Sequence, residues 1–316
     1  MIACIYFTKE GEKVVKKIKD VYEKVDVFSK ENFKENIEKI VKYERIIFIS
    51  AVGIAVRILA PYIRSKWQDP AVLVIDDMGR YVISLLSGHF GGANEFCIEV
   101  AEKIGAMPIV TTASDGRGFK SLDLIAKDND FYIEDKERLK RITSLMIEGR
   151  TISICSSINI KIDYPNITDE GEAFIYITYK DEFPRKEPYC ILRPKVLHVG
   201  IGCKRGTSFE KIDSAIQRVF KENNLSMFSI KSIGTLDIKK DEEGLLRFAK
   251  EKKLPVIFFS REEIKKVEEN FPKSPWVYRN FGIYSVAEPC AYLLSPNIIV
   301  NRKIIDGVTV AVSKED

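Results

Sequence analysis

The sequence predicts an α/β fold in two domains, each with a mainly parallel or mixed sheet flanked by helices. The first observation is length, since 316 residues exceed what one hydrophobic core usually serves. The second is pattern, because short apolar runs alternate with segments whose apolar residues recur at helical spacing. The third is composition, since 45% hydrophobic and 30% charged residues are typical of a protein folded nearly throughout.

The amino-terminal domain is predicted to span residues 1–125. Its pattern predicts, in chain order, a strand over 2–7, a helix over 14–22, a strand over 46–50, a helix from 54 to Pro61, strands over 72–75 and 82–86, a helix over 91–103 and a strand over 108–112. Turn-forming residues occupy 76–79, so the two strands around them are expected to form a hairpin or tight connection.

A middle region, 126–194, is marked by a charged, helix-prone stretch, a strand over 151–155 and several prolines. It is either an extension of the first domain or a third, small subdomain, and the sequence leaves both open. A boundary near Pro194 follows because the apolar run 196–201 restarts the strand, glycine turn and helix pattern. The carboxy-terminal domain, 195–316, is then predicted to alternate strands over 196–201, 228–233, 255–259, 298–300 and 308–312 with helices over 207–221 and 241–252.

Charge and targeting signals exclude several classes of function. The net charge is +4, from 50 basic and 46 acidic residues with interspersed signs, so no nucleic-acid partner is predicted. The first apolar run precedes its charges, the reverse of a signal peptide, and no run approaches membrane-spanning length. A cytoplasmic protein without a membrane partner is expected. Six cysteines without a CxxC pair argue against a structural zinc site and a disulfide framework.

The segment SGHFGGAN, residues 87–94, carries the strongest functional signal. A strand end, a glycine-rich turn and a helix start meet there, which predicts an exposed lip of N–H groups suited to an anion. His89, one of two histidines, and Glu95 are the catalytic candidates. The candidate substrate-binding residues are Ser87, Gly88, Gly91, Gly92 and Asn94. A strand-to-helix turn capped by the serine or the asparagine explains the segment equally well on physical grounds.

Two further loops are predicted to follow strands. AVGIAVRILAP, residues 51–61, opens a helix through Gly53 and places Arg57 one turn later, while TTASDGRG, residues 111–118, contains Arg117. Because the carboxyl ends of parallel strands share one edge of a sheet, these loops and 87–94 are expected to converge on a pocket. Its arginines would bind carboxylates, although a solvated helix face is the default expectation for a single arginine such as Arg57.

Two carboxy-terminal motifs supply the remaining candidates. HVGIGCKRGTS, residues 198–208, resembles a dinucleotide fingerprint only weakly, since the spacing is GxGxxxG and no acidic residue follows at the ribose position. It better fits a helix start where Gly202, Lys204 and Arg205 meet ligand carboxylates. In YSVAEPCAYLL, Glu288 either completes a capping box with Ser285, the favoured interpretation, or contacts substrate. Neither a GxSxG elbow nor a recognisable zinc-ligand set is found, so no metal ligands are predicted.

Taken together, AVGIAVRILAP, DPAVLVIDDMGRYVISLLSGHFGGANE and TTASD resemble the amino-terminal domain of the cobalt-precorrin-5A hydrolase family, CbiG. VGIGCKRGTS, SIGTLDIKKDEEGL, SVAEPCAYLLS and GVTVAVS are similar to its carboxy-terminal domain, which also occurs as a separate protein in the aerobic pathway. The resemblance covers about 45–125 and 195–313. It implies an enzyme of anaerobic cobalamin (vitamin B12) synthesis that opens the ring-A δ-lactone of cobalt-precorrin-5A and releases acetaldehyde, giving cobalt-precorrin-5B.

The implied substrate is a polycarboxylate cobalt corrinoid, whose carboxylates should meet the arginines and the lysine named above. No separate cofactor is implied, because the conjugated macrocycle can accept electrons and cobalt arrives within the substrate. We hypothesise that His89 is the general base, that Glu95 orients it or relays the proton, and that the N–H groups of Gly91 and Gly92 stabilise the oxyanion. A homodimer is left open.

Two other classes of function stay in view. The chain could be chiefly a non-catalytic carrier of tetrapyrrole intermediates, an alternative that the separate occurrence of the carboxy-terminal domain encourages. A nucleotide-dependent oxidoreductase is a distant third, because the ribose-binding acid is missing from the glycine motif. Release of acetaldehyde from the lactone substrate separates the enzyme from the carrier.

Overall fold

The computed structural model describes residues 1–65, 67–89, 91–111 and 119–315. The chain divides into two compact units, the first formed by Met1–Lys127 with Asp163–Pro165, the second by Asp128–Ile162 with Asn166–Asp316. The predicted α/β architecture, with mixed sheets flanked by helices, is confirmed. Among the described residues, no helix is both long enough and apolar enough to cross a membrane.

The first unit is built around a mixed sheet. Its elements are β1 (Ile2–Tyr6), α1 (Lys9–Val21), β2 (Val25–Ser29), α2 (Phe33–Ile40), β3 (Arg45–Ile49), α3 (Val52–Leu59), β4 (Ala71–Ile75), β5 (Tyr81–Leu86), α4 (Ala93–Ile104), β6 (Met107–Ile109) and α5 (Leu122–Asp128). In the described residues the strand order is β2-β1-β3-β4-β5-β6. Strands β1 to β4 run parallel, whereas β5 is antiparallel to β4 and β6 follows the direction of β5.

Helices cover both faces of this sheet. One face packs against α1 and α4, with Ile18 and Phe96 fully buried in the contact, and the other packs against α2 and α3, with Ile40 and Leu59 buried. The central strands β3 and β4 therefore need apolar side chains on both faces, which is why they are nearly continuous apolar runs.

The turn between β4 and β5 reverses the chain. Asp76 Oδ1 accepts hydrogen bonds from the backbone N–H groups of Arg80, at 2.6 Å, and Tyr81, at 2.8 Å. Gly79 adopts the left-handed conformation that such a turn requires, with φ of 68°. The predicted hairpin is confirmed. As a result, the carboxyl ends of β5 and β6 lie at the opposite edge of the sheet from those of β1 to β4.

The second unit contains two sheets in the described residues. Its elements are β7 (Phe131–Ile133), α6 (Lys136–Ile147), β8 (Ile152–Ser156), β9 (Ala173–Ile177), β10 (Tyr189–Pro194), β11 (Leu197–Gly202), α7 (Phe209–Glu222), β12 (Ile230–Leu236), α8 (Glu243–Lys252), β13 (Val256–Phe259), α9 (Arg261–Lys265), α10 (Pro275–Phe281), α11 (Ala287–Leu294), β14 (Ile298–Ile305) and β15 (Val308–Lys314). Their strand orders are β7-β10-β9-β8 and β13-β12-β11-β15-β14.

The larger of these sheets is also covered on both faces. Helices α7 and α8 pack on one face around Phe220 and Phe248. Helix α11 lies so close to the other face that a Cβ at Gly200 would stand 1.8 Å from the carbonyl oxygen of Ala287. Glycine is therefore required at this position of the glycine motif to let the helix approach the strand.

Candidate functional site

The loop from β5 to α4, residues 87–92, is held by its own backbone. The hydroxyl of Ser87, a buried residue with φ of 59°, donates to the carbonyl of Asp69 at 3.0 Å. The carbonyls of Ser87 and Gly88 accept from the N–H groups of Ala93, at 3.2 Å, and Asn94, at 2.9 Å. These bonds fix the loop against the start of α4 and the segment that leads into β4.

The loop leaves no room for a side chain at two of its glycines. A Cβ at Gly88 would stand 2.6 Å from Asn94 Oδ1, and one at Gly91 would stand 2.5 Å from the Cβ of Ser87. Asn94 is buried and accepts from the Ser84 hydroxyl at 2.7 Å. Steric exclusion therefore accounts for both glycines.

The capping alternative for this loop is wrong. The residue that precedes α4 is Gly92, with φ of 79°, and the helix start has no side-chain cap. Ser87 and Asn94 instead direct their side chains to the partners described above. The chain enters the helix through the left-handed Gly92, which has no side-chain oxygen to accept from the first N–H groups.

The two catalytic candidates lie on this loop and on the helix that follows it. His89 is half-buried, and Glu95 is exposed on the first turn of α4. The N–H of Gly92 donates to the His89 carbonyl at 3.1 Å, so this N–H is engaged within the turn. The fold thus presents a histidine on a tightly held loop, an arrangement suited to proton transfer at a fixed position.

The predicted convergence of loop 51–61 with loop 87–94 is wrong. The start of α3 lies beside the end of β4, where Ser50 N donates to Ile75 O, while loop 87–92 lies beside the start of β4 at Asp69. The five residues of β4 separate these two edges by about 13 Å. The hairpin is the cause, because it sends β5 back across the sheet. Loop 112–118, which includes Arg117, lies outside the described residues.

Gly53 and Arg57 therefore belong to a different edge from His89. Arg57 is exposed, and its Nη1 donates to the Gly53 carbonyl at 3.3 Å. This geometry resembles the solvated helix face given above as the default expectation for Arg57.

A cleft of about 370 Å³ adjoins the His89 loop in the first unit. Leu86, the residue before the loop, and Asp69 line it, together with the basic residues Lys42 and Arg64. Sequence reasoning missed this cleft. Arg64 lies three residues after Pro61, the end of the AVGIAVRILAP motif, so the signal was a basic residue next to a motif.

A cavity of about 720 Å³ opens in the second unit at the carboxyl ends of β11 and β12. The structure brings Gly202, Lys204 and Arg205 together there, as three of its lining residues. Other parts of its wall come from α10, the start of α11 and the β14–β15 hairpin, and include Trp276, Val277, Phe281, Val286, Arg302 and Ile304. Its walls are largely apolar with cations among them, a composition suited to an amphipathic anion.

Ion pairs neutralise part of the positive charge that lines this cavity. Arg205 forms a two-bond pair with Asp241, with its Nη1 2.9 Å and its Nη2 3.2 Å from the two carboxylate oxygens. Lys239 pairs with the buried Glu242 at 2.9 Å, and Glu242 also accepts from Gly206 N at 2.7 Å. These contacts hold the loop after β11 in place.

Glu288 does not complete a capping box. Helix α11 begins at Ala287 after Val286, without a side-chain cap, so Glu288 occupies the second helical position and Pro289 the third. Its carboxylate is buried, and Oε1 accepts from the backbone N–H of Arg302 at 3.2 Å while Oε2 lies 3.8 Å from Arg302 Nε. The prediction failed because the helix starts one residue later than the motif suggests.

Neither a reactive thiol nor a cluster of metal ligands occurs at these sites in the described residues. Burial raises the pKa of the Cys203 thiol, which lines the larger cavity, so this sulfur is protonated near neutral pH and is a poor nucleophile. Across residues 1–65, 67–89, 91–111 and 119–315, no group of three or more His, Cys, Asp and Glu residues is arranged to hold a metal ion.

Comparison with known proteins covers most of the chain. Residues 36–115, 120–194 and 197–313 match the family models for the cobalamin synthesis G amino terminus, the cobalamin biosynthesis central region and the cobalamin synthesis G carboxy terminus. A cobalt-precorrin-5A hydrolase of Priestia megaterium is 32% identical over 98% of this chain and 94% of its own. One of Salmonella typhimurium is 33% identical over 85% of this chain and 81% of its own.

A solved structure from Sulfolobus solfataricus, described as a cobalamin biosynthesis protein G homologue, is 26% identical, with a TM-score of 0.43 and coverage of 100% of this chain and 97% of that one. The two curated relatives and the three matched segments confirm the family resemblance noted in the sequence. The chain belongs to the cobalt-precorrin-5A hydrolase family, CbiG.

Proposed function

We propose that this chain is a cobalt-precorrin-5A hydrolase that opens the ring-A δ-lactone and releases acetaldehyde, giving cobalt-precorrin-5B. The observation that carries the proposal is the match, along 98% of the chain, to a relative named for this activity. All three family segments occur in order, so the similarity is not limited to one domain. The cytoplasmic location stays a prediction, and so does the possible homodimer.

The proposed reaction breaks two bonds. Water adds to the lactone carbonyl, the ring C–O bond breaks, and the products are a carboxylate and a secondary alcohol. Loss of the alcohol proton then lets the C–O⁻ pair form a carbonyl while the C–C bond to the macrocycle breaks. The bonding pair enters the conjugated ring, which is protonated, and acetaldehyde leaves. Cobalt is part of the substrate, and we propose no separate cofactor.

For the proton transfers we propose His89 as general base with Glu95 as its orienting or relaying partner. The compact loop 87–92 supports this proposal, because its hydrogen bonds hold the backbone that carries the half-buried histidine. The Gly91 N–H is proposed to bind the oxyanion. The same role for Gly92 requires its N–H to leave the His89 carbonyl. Arg57 and Arg117 stay predicted carboxylate ligands.

The activity is tested by incubating the purified full chain with cobalt-precorrin-5A under anaerobic conditions. We expect one acetaldehyde per substrate consumed, and a tetrapyrrole product whose mass equals substrate plus water minus acetaldehyde. Tight binding without acetaldehyde release would make the chain a carrier and contradict the hydrolase proposal.

The role of His89 is tested separately with His89→Gln. We expect the rate of acetaldehyde release to fall by about 10²–10⁴-fold, the usual contribution of a general base. Urea unfolding and substrate affinity should stay close to those of the unmodified chain, since the side chain is half-buried on a loop. Turnover at the unmodified rate would remove the histidine from the mechanism.

A further inference from the structure

We propose that the 720 Å³ cavity of the second unit binds one edge of a flat polycarboxylate macrocycle, with Arg302 and Lys204 as its carboxylate ligands and Glu288 as the residue that positions Arg302. The identity of the macrocycle rests on the proposed function. The site itself rests on the cavity, on the way its cations are paired, and on a buried carboxylate behind one of them.

The cavity has the size and surface of a small-molecule site. Its volume falls within the range of about 300–1,000 Å³ typical of small-molecule pockets. Trp276, Phe281, Val286 and Ile304 provide apolar wall, and Trp276 is 54% exposed, which leaves its indole ring accessible to a flat ligand.

Pairing distinguishes the cations that line this cavity. The guanidinium of Arg205 is committed to Asp241, and the ammonium of Lys239 to buried Glu242. Lys204 forms no ion pair within the described part of the chain, so its charge is available to a ligand. This assignment separates two neighbouring residues, Lys204 and Arg205, that the sequence motif treats alike.

Arg302 is anchored and still has hydrogen-bond donors to offer. Its Nη1 donates to the Pro272 carbonyl at 3.3 Å, and its Nε faces Glu288 Oε2 at 3.8 Å. Across the described residues, Nη2 donates no hydrogen bond, and a guanidinium carries five N–H donors in a rigid plane. An anchored arginine of this kind suits a carboxylate, because little side-chain entropy remains to be lost on binding.

Glu288 contacts Arg302 at both its backbone N–H and its guanidinium. The glutamate is 1% exposed, and within the described residues Oε2 has no hydrogen-bond partner, so the nearby guanidinium is needed to balance its charge. Oε1 also accepts from the backbone N–H of Arg302, which holds both the strand and the side chain. Burial makes Glu288 a positioning residue in this proposal, in place of both the capping box favoured from the sequence and the alternative substrate contact.

The test uses the full chain in a Trp67→Phe background, which leaves Trp276 as the remaining tryptophan. The probes are cobyrinic acid, a cobalt corrin with free carboxylates, and its methyl ester, which has none. Both should quench Trp276 fluorescence saturably. Arg302→Gln should raise the Kd of the acid about tenfold or more, and Lys204→Gln by a smaller factor, with the ester affected less than about twofold.

Lys303→Gln is the matched control, because Lys303 is the next residue along β14, is exposed, and is not among the cavity-lining residues. It should leave both affinities within about twofold. Glu288→Gln should weaken binding of the acid several-fold and spare the ester, with no further loss when combined with Arg302→Gln. A purely structural role for Glu288 would weaken both probes together.

Absence of Trp276 quenching by the acid, or equal loss of acid and ester affinity in Arg302→Gln, would overturn the proposal. A larger loss in Arg205→Gln than in Arg302→Gln would also overturn it. These outcomes are independent of the reaction. Acetaldehyde release with an unchanged KM in Arg302→Gln refutes the cavity and keeps the hydrolase, whereas selective acid binding without turnover keeps the cavity and refutes the hydrolase.

Discussion

Replacing Gly200 with alanine tests whether the glycine motif at the end of β11 serves packing. The added Cβ would lie 1.8 Å from the Ala287 carbonyl oxygen and 2.8 Å from Ala291 N, both backbone atoms of α11. Moving the oxygen to the 3.4 Å at which ordinary contact begins requires a shift of about 1.6 Å. Overpacking typically costs about 1–3 kcal/mol, and because backbone cannot rotate away, we expect about 3 kcal/mol.

The matched control is Gly202→Ala, two residues further along the same face of β11. A Cβ there would lie 3.6 Å from its nearest neighbour, the Cβ of Val286, which is ordinary contact. We expect a change in unfolding free energy of less than about 1 kcal/mol, with reduced unfolded-state entropy offsetting any cost.

Urea and thermal unfolding followed by circular dichroism measure both variants. A loss of about 3 kcal/mol corresponds to a fall in Tm of roughly 6–12 °C for a unit of this size. Unfolding of Gly200→Ala at the unmodified midpoint would refute the packing argument, and so would equal losses in the two variants. In the second case the glycines would share a backbone requirement that the close approach of α11 does not explain.

Two further predictions concern the second unit. Burial lowers the pKa of His198 in the folded chain, although the neighbouring Glu315 carboxylate opposes the shift. In the unfolded chain the histidine has a pKa of about 6.5. The unfolding free energy, measured by urea titration, should therefore fall as pH decreases below about 6.5. His198→Gln should flatten this dependence of unfolding free energy on pH. An unaltered dependence in the variant contradicts the argument. Arg193→Leu should cost about 2–4 kcal/mol, because this buried guanidinium donates to Glu134 and to two backbone carbonyls. The exposed pair of Arg150 is the control, and Arg150→Leu should cost less than about 1 kcal/mol by the same measurement.

Local pattern was sufficient for most of the strands and helices. The buried strands β3 and β4 are continuous apolar runs, and α7 repeats its apolar residues at helical spacing. A short stretch of sequence is therefore enough to predict each element as a strand or a helix. Strand β2 gave no such signal. It is an edge strand whose residues, apart from Phe28, are only partly buried, and such a strand needs no long apolar run.

The position of the loop after β5 is the instructive failure, because the sequence contained the means to avoid it. A tight turn at 76–79 predicts a hairpin, and a hairpin makes the second strand antiparallel. The loop after β5 must then emerge at the edge where β4 begins. Assuming a parallel sheet for every strand-end loop overrode this consequence and joined Gly53 to His89, which the fold keeps at opposite edges.

The sequence predicts where a charged residue lies in the fold more readily than it predicts which residue will pair with it. Lys204 and Arg205 are neighbours in one motif, yet Asp241 pairs with only one of them, and that aspartate is 36 residues away. Arg302 lies in no motif that the sequence singled out, and its anchor, Glu288, is 14 residues earlier on a helix. Pairing depends on which strands the fold brings together. A cation in a ligand motif is therefore a candidate for substrate binding only after its neighbours in the fold have been shown to leave its charge available.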